Sequence, residues 1–446
     1  MIRTWQAGFL VMLMLSATAR AQNPVAKTRE EKVRGDKAKV EADGFWIYND
    51  LNRGFEEAKK TGQPLVVVLR CIPCEQCVKL DDDLVDKDER LRPLLEKFVR
   101  VRLISANGLD LSLFQYDTDQ SFAVFLLNAD RTIYGRFGTR SDQRNWTDDV
   151  SIAGLAKALE GALALHQAYP ANRAQLAGKL GPAPDFPAPE QYPRLAGKYG
   201  SQLDYSGNVV QSCIHCHQIG DAQRQFYREK EGALPERVLF PYPHPKAIGL
   251  ILDPQECATV LQVDSGSLAE LAGFRPGDIL QTLNGQPLLS LADVQWVLQQ
   301  VPATGGSVAA AVVGPNHSRN VTLNLPAGWR KRDDIAWRVS SWELRRMGLG
   351  AMFLKPLSPG QRAERNVPEN SMALHVEHVG QFAPHDMAKK AGVLKDDILI
   401  SFNGRTDFLR ETDLLAYALN DIPVGTKVPA VFLRNGEKVT AELVTR

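Results

Sequence analysis

PLVVVLRCIPCEQCVKL, residues 64–80, joins a continuous apolar, Val-rich run to three cysteines spaced three residues apart. Such a run, bounded by Pro64 on one side and by thiols on the other, predicts a strand buried on both faces of an α/β sheet. Leu80 and Leu84 follow at i, i+4, so a helix is expected to begin near Cys74. A thiol at a helix N-terminus lies beside backbone N–H groups and the positive end of the dipole, which favours the thiolate and makes Cys74 a nucleophile. Cys77, one turn later, is placed to resolve a mixed disulfide. Upstream, Leu51, Phe55 and Ala58 fall at helical spacing until Gly62-Gln63-Pro64 stops the helix. Ordered structure is expected from Phe45-Trp46.

The pattern continues with a strand at Phe98–Ile104, the hairpin SFAVFLLNADRTIYGRFG (121–138) and an amphipathic helix carrying Ile152, Leu155, Leu159 and Leu163. In this order residues 45–168 resemble the thioredoxin fold, in the shorter form found in exported bacterial proteins. The resemblance implies that Cys74 attacks and Cys77 resolves, with Cys71 as a third thiol. A Cys71–Cys74 disulfide, a structural disulfide and a Cys-x2-Cys-x2-Cys metal site are the other readings of the same motif. There is also a departure. Thioredoxins carry a cis-proline just before the strand that follows, facing the cysteines, and Gln120-Ser121 stand there in this chain. The resemblance gives that proline a part in docking the substrate backbone and in keeping metal off the thiols, so its absence puts generic disulfide reduction in question.

A second cysteine pair lies in Cys213-Ile214-His215-Cys216-His217. Two thiols with two residues between them, followed at once by histidine, form the attachment pattern of c-type haem: the thiols add to vinyl groups and the imidazole reaches the iron. Cys213 and Cys216 are the expected attachment sites, His217 the axial ligand, and His244 in FPYPHP (240–245) the candidate sixth ligand. A plain dithiol, a structural disulfide and a metal knuckle use the same residues. The segment 201–245 is short for a complete cytochrome domain, so a haem here would lean on a neighbouring one.

From Lys246 the sequence repeats. AGFRPGDILQTLNG (272–285) recurs as AGVLKDDILISFNG (391–404). Each copy reads as a helix end, a tight turn, an apolar strand and an Asn-Gly hairpin turn. The copies, 246–328 and 345–446, resemble the PDZ domains of bacterial high-temperature-requirement proteases. The resemblance implies that the loops Ile248-Gly249-Leu250 and Gly348-Leu349-Gly350 offer N–H groups to a C-terminal carboxylate while the tail adds as a strand. The groove helices would be Leu291–Gln300 and Glu411–Asn420. Asp264-Ser265-Gly266-Ser267 reads as the turn before a helix, and a serine protease is not expected.

The remaining segments set compartment and connection. Arg3, the apolar run Ala7–Leu15 and Ala19-Arg20-Ala21 read as a signal peptide cleaved after Ala21, and no later stretch has membrane-spanning length. The mature chain is expected in the periplasm or secreted, in an oxidising compartment. Losing Arg3 and Arg20 takes two positive charges from a formal net charge of +1, which leaves the chain near neutral and argues against a nucleic-acid binder. Residues 22–44, charged and poor in apolar side chains, are expected to form a mobile tether. Residues 169–200, rich in proline, read as a semi-rigid linker. The bridge 329–344, with Trp329, Arg330, Trp337 and Arg338, reads as a segment packed between the two copies of the repeat.

The chain is therefore expected to be multidomain, α/β followed by mainly-β. As a whole it resembles an exported bacterial family of thioredoxin-like/PDZ fusion proteins in which selenocysteine can replace a cysteine of the thiol motif; here all three positions are Cys. The implied function is a thiol–disulfide redox protein that holds client proteins or C-terminal peptides, with haem c and an unidentified redox partner. The alternative is a non-enzymatic adaptor whose cysteine motifs are structural disulfides or metal sites. Cys71 and Cys257 are left without an assigned partner.

Overall fold

The computed structural model describes residues 28–70, 72, 88–120, 122–142, 148–314 and 317–446. The signal-peptide reading of residues 1–21 and the thiols Cys71, Cys74 and Cys77 lie outside the described residues. Helix α1 (Arg29–Asp43) leads into strand β1 (Ile47–Tyr48), helix α2 (Leu51–Thr61) and strand β2 (Leu65–Arg70). Strands β3 (Val99–Leu103), β4 (Phe122–Leu127) and β5 (Ile133–Phe137) complete a sheet in the order β1-β3-β2-β4-β5, and helix α3 (Ile152–Gln167) closes this domain.

β1 and β2 both run parallel to β3, with Leu65 opposite Val99 and Leu69 opposite Leu103, whereas β4 pairs antiparallel with β2 and β5 with β4. β2 lies between neighbours and beneath side chains on both faces, so every one of its residues is buried and no polar alternation is needed. Leu65, Val67 and Leu69 pack with Phe55, Val101 and Phe125 on one face. Val66 and Val68 pack with Leu126, Leu155 and Leu159 on the other. Asp50 caps α2 by accepting from the Arg53 N–H at 2.9 Å, and Gly62, at φ 71°, ends it.

Two expected connectors are folded instead. The tether contains α1, which begins with a reciprocal cap between Thr28 and Glu31. Val33 and Val40, two turns apart, are buried, and Asp36 lies 3.0 Å from the buried Arg70 guanidinium. Two buried valines contribute about 1.5–3 kcal/mol each and the cap about 1 kcal/mol toward ordering a helix whose other residues are mostly charged. The expected linker 169–200 is likewise part of the core: Leu176, Tyr192 and Leu195 are buried, and the Trp296 indole N–H donates to the Gly178 carbonyl at 2.9 Å. Its prolines bend the chain over the domain rather than holding it away.

The segment after it carries helix α4 (Cys216–Glu231), whose Ile219 and Ala222 join the same cluster as Phe125. The first copy of the repeat then forms a hairpin of β6 (Leu250–Leu252) and β7 (Val260–Val263). It continues with β8 (Ile279–Leu283), β9 (Gln286–Pro287), helix α5 (Leu291–Gln300), β10 (Gly306–Gly314) and β11 (His317–Leu325), in a sheet ordered β11-β10-β8-β9. Helix α6 (Ser341–Gly348) introduces the second copy: β12 (Met352–Pro356), β13 (Leu374–Val379), β14 (Ile398–Phe402), helix α7 (Glu411–Asn420), β15 (Lys427–Arg434) and β16 (Glu437–Val444). These strands make one sheet in sequence order.

In both copies the Asn-Gly turn has the left-handed backbone of a type I′ turn, with φ 50° and 77° at Asn284-Gly285 and 52° and 76° at Asn403-Gly404. The structure also explains the aspartate that both copies share. Asp278 accepts from the Arg275 N–H and pairs with Arg319, and Asp397 accepts from the Leu394 N–H and pairs with Arg434. Each carboxylate ties the turn to the closing hairpin. The bridge 329–344 packs inward, and Arg330 donates to the Gln299 and Val301 carbonyls at 2.7 and 2.8 Å, capping the C-terminus of α5.

Candidate functional site

The parallel pairing of β1, β3 and β2 brings the carboxyl ends of all three strands to one edge of the sheet. β2 ends there at Arg70, directly before the CIPCEQC motif, and Ile72 is buried against Val33, Ile104 and Val209. The second cysteine motif docks at the same edge. Three residues past the end of β3, the Ala106 N–H donates to the Ile214 carbonyl at 2.9 Å, and the Ile214 N–H donates to Asn107 Oδ1 at 2.8 Å. Asn107 Nδ2 donates to the Ser212 carbonyl at 2.9 Å, so one side chain holds the backbone on both sides of Cys213. Sequence reasoning placed the two motifs in separate domains; the structure brings the described start of one beside the other.

Cys213 is buried. Cys216 is the first residue of α4, and its Sγ accepts the Tyr116 hydroxyl at 3.0 Å. Position at a helix N-terminus would favour a thiolate, but burial dominates and pushes the Cys216 thiol up, against the opposing hydrogen bond from Tyr116. Burial, with His217 beside it, lowers His215 to about 4, and the two rings stack at 5.8 Å. His217 Nδ1 lies 3.4 Å from Asp221 Oδ2.

A covalent haem needs both thiols open to one porphyrin-sized space, whereas here Cys213 is buried and the Cys216 Sγ is taken by Tyr116. Cys216, partly buried, lies against Tyr116 at the margin of the Phe125 cluster, while Cys213 neighbours Tyr205 on the Val209 side. His244, the candidate sixth ligand, is buried with Nδ1 accepting from the Lys246 N–H at 3.2 Å and Nε2 3.2 Å from Asp149 Oδ1. Neither nitrogen faces an open site. The histidines His375, His378 and His385 are also dispersed, to Asp396, Trp342 and Glu343 respectively. Cys257 is a half-buried free thiol, pushed up to about 11 by burial.

The two expected carboxylate loops are buried as well. Gly249, at φ 75°, donates its N–H to the Lys246 carbonyl and accepts from the Asp264 N–H. The Leu349 and Ala351 N–H groups both go to the Arg345 carbonyl. Beside the first loop α5 is buried from Leu291 to Leu298, and its Gln295 and Gln299 hold the backbone of Tyr242 at 3.0 and 2.8 Å. Beside the second, Glu411 at the start of α7 accepts from the Leu354 N–H of β12 at 2.8 Å and from Arg345 at 2.6 Å. Of the loop N–H groups that would meet a tail, those of Gly249 and Leu349 bond within the chain.

A buried ionic cluster, invisible in the sequence because its members are more than a hundred residues apart, occupies the loop before β4. Arg338 donates to both oxygens of Asp117 at 2.6 Å and to the Pro241 carbonyl at 2.7 Å, and lies 3.5 Å from Asp119. The Ser340 N–H donates to Asp119 Oδ1 at 2.8 Å, and Arg224 of α4 pairs with Asp119 at 3.8 Å and bonds Ser340. Burial pushes Asp119 up, but Arg224 and Arg338 outweigh it and hold its carboxyl below the usual range. The bridge is thus bonded to Asp117 and Asp119, just ahead of the position where the thioredoxin resemblance expects a docking proline.

Fold and site together define a chain with a thioredoxin-like domain and a PDZ domain: residues 46–129 match the thioredoxin-like family and residues 259–304 the PDZ domain family. A curated relative, the "Probable periplasmic serine endoprotease DegP-like" of Marinomonas sp. (strain MWYL1), is 25% identical over 187 residues, covering 42% of this chain and 36% of that protein. The chain spans about a third of that relative's length. Among solved structures, the HtrA-type protease AlgW with a decapeptide is 18% identical, covering 32% of this chain and 49% of that one with a TM-score of 0.20. The same protease with a tripeptide is 14% identical, covering 32% and 54% with a TM-score of 0.19. Among the described residues no helix is long and apolar enough to cross a membrane.

Proposed function

We propose that the chain is an exported thiol–disulfide oxidoreductase acting on polypeptide clients. The observation that supports this is the fully buried β2 running out at Arg70 into the thiol motif, at the carboxyl edge where open α/β sheets carry their sites. The Cys74 thiolate attacks one sulfur of a client disulfide, forming a mixed disulfide and releasing the other client sulfur as a thiolate. The Cys77 thiolate then attacks the Cys74 sulfur, releases the second client thiolate and leaves a Cys74–Cys77 disulfide. Two electrons pass to the client, whose thiolates take up the protons that Cys74 and Cys77 lost, and an external dithiol resets the pair by the same exchange. Both copies of the repeat serve as PDZ modules, and a client tail enters either groove only by displacing the chain's own cover. The test is reduction of a fluorogenic peptide disulfide by the mature chain with a dithiol reductant. Cys74→Ser abolishes turnover on this reading, and unchanged turnover would refute it.

A second reading, a non-enzymatic adaptor, draws on the partly buried thiols of Cys216 and Cys257, both pushed up by burial, and on the ionic cluster that joins the bridge to the loop before β4. It predicts client capture without exchange, unaffected by Cys74→Ser.

A further inference from the structure

A cavity of about 620 Å³ opens at the carboxyl ends of β1 and β3, between Asn49 to Asn52, the chain from Leu103 to Asp110, and residues 201–205. Its place and size are those of a binding site: ligands of open α/β sheets lie outside the carboxyl ends of the strands, and sites run to about 300–1,000 Å³. Its lining is mostly uncharged: Asp110 pairs with Arg131 at 3.0 Å, and Asp50, which caps α2 through the Arg53 N–H at 2.9 Å, is the one carboxylate left without a cation among the lining residues. The side-chain amides of Asn52 and Gln202 and the hydroxyl of Ser105 line it and make no hydrogen bond to any described residue. Leu103 and Leu109 give it a buried apolar wall. Uncharged donors and acceptors beside leucines suit an extended polypeptide, whose backbone alternates N–H and C=O and whose side chains need apolar contact.

We infer that this cleft docks the backbone of the client, a role that rests on the thiol–disulfide reading. Two further observations favour it. The back wall is Asn107, the residue that holds the chain on either side of Cys213, so a bound segment lies next to the edge where both cysteine motifs begin. In the loop before β4, on the opposite flank of β2, the carboxylates of Asp117 and Asp119 are already taken by Arg338 and Ser340.

The probe is fluorescein-labelled α-lactalbumin, reduced and carboxymethylated so that it stays unfolded and carries no thiol, titrated with the mature full chain and read by anisotropy. Asn52→Trp and Ser201→Trp enter the cleft from opposite walls at exposed positions. Each is expected to weaken binding by about tenfold or more through steric exclusion, with unchanged circular dichroism. The double variant Cys74→Ser, Cys77→Ser is expected to bind as the parent does, which separates docking from exchange. If exchange fails while the tryptophans still block the probe, the cleft stands and the redox reading falls. The cleft assignment is overturned if both tryptophan variants bind normally, if the parent shows no saturable binding, or if maltoheptaose displaces the probe.

Discussion

Removing Arg338 should be among the most damaging single changes in the chain. Its guanidinium is about 1% exposed, bonds both oxygens of Asp117 at 2.6 Å and the Pro241 carbonyl at 2.7 Å, and lies 3.5 Å from Asp119. In Arg338→Ala three buried carboxylates, Asp117, Asp119 and Asp333 (3.9 Å from the guanidinium), lose their shared cation, and Arg224 remains 3.8 Å from Asp119. Breaking a buried pair by deleting one member costs about 3–5 kcal/mol, because the surviving charge stays desolvated. Replacing both partners with apolar or neutral groups avoids that charge, so Arg338→Met with Asp117→Asn should lose less than half as much.

The pH dependence has a definite sign. Without Arg338 the Asp117 carboxyl moves further above its unfolded value, so the folded variant holds a proton that the unfolded chain releases. The deficit is then largest near neutral pH and shrinks as pH falls toward the ordinary carboxylate range. Urea denaturation at several pH values, followed by tryptophan fluorescence with Trp337 stacked on this guanidinium as a local reporter, reads both effects. A loss under about 1 kcal/mol at pH 7, or a loss independent of pH, would refute the reasoning.

Three other outcomes follow from named contacts. Glu343 is pushed up by burial, but Arg194 and Arg346 at 2.9 Å bring it down to about 2. Because a depressed carboxylate stabilises above its unfolded pKa, Glu343→Gln should cost on the order of 2 kcal/mol at pH 7, and the difference should vanish as pH falls from about 4.5 to about 2 in parallel melts. Cys257, with a pKa of about 11, is about one part in a thousand ionised at pH 8; iodoacetamide labelling of Cys257 and Cys216 read by mass spectrometry should be slow in the native chain and rapid in guanidinium. The mature chain exported alongside a c-type cytochrome maturation system should show no reduced α-band that survives acid–acetone extraction, since Cys216 is packed against Tyr116. Such a band would reverse that conclusion.

The sequence was most informative where one local rule decides the structure. Leu65 to Leu69 had to be a doubly buried strand, and the paired Asn-Gly turns marked the repeat before any coordinate. It was least informative where long-range partners decide. Nothing near Val33 and Val40 reveals the surface that orders α1, and prolines from 169 to 200 signal irregular backbone whether or not it packs. The Asp117–Arg338 pair joins residues 221 positions apart. Of the site, the thiol motif after β2 was legible from periodicity. The docking of Ile214 on Ala106 and Asn107 was not, since backbone bonds of that kind leave no side-chain pattern. Around the expected carboxylate loops, the bonds of Tyr242 to Gln295 and Gln299 and of the Leu349 N–H to the Arg345 carbonyl are recognisable only once folded.

The most direct test is the redox equilibrium of Cys74 and Cys77 in the mature chain across a series of dithiothreitol buffers, quenched with acid and read by alkylation and peptide mass spectrometry. The account predicts a reversible two-electron couple confined to Cys74 and Cys77, with Cys74 the first thiol to alkylate when reduced. A chain whose Cys74 and Cys77 never form a disulfide, or form one that no dithiol reduces without denaturant, would contradict it.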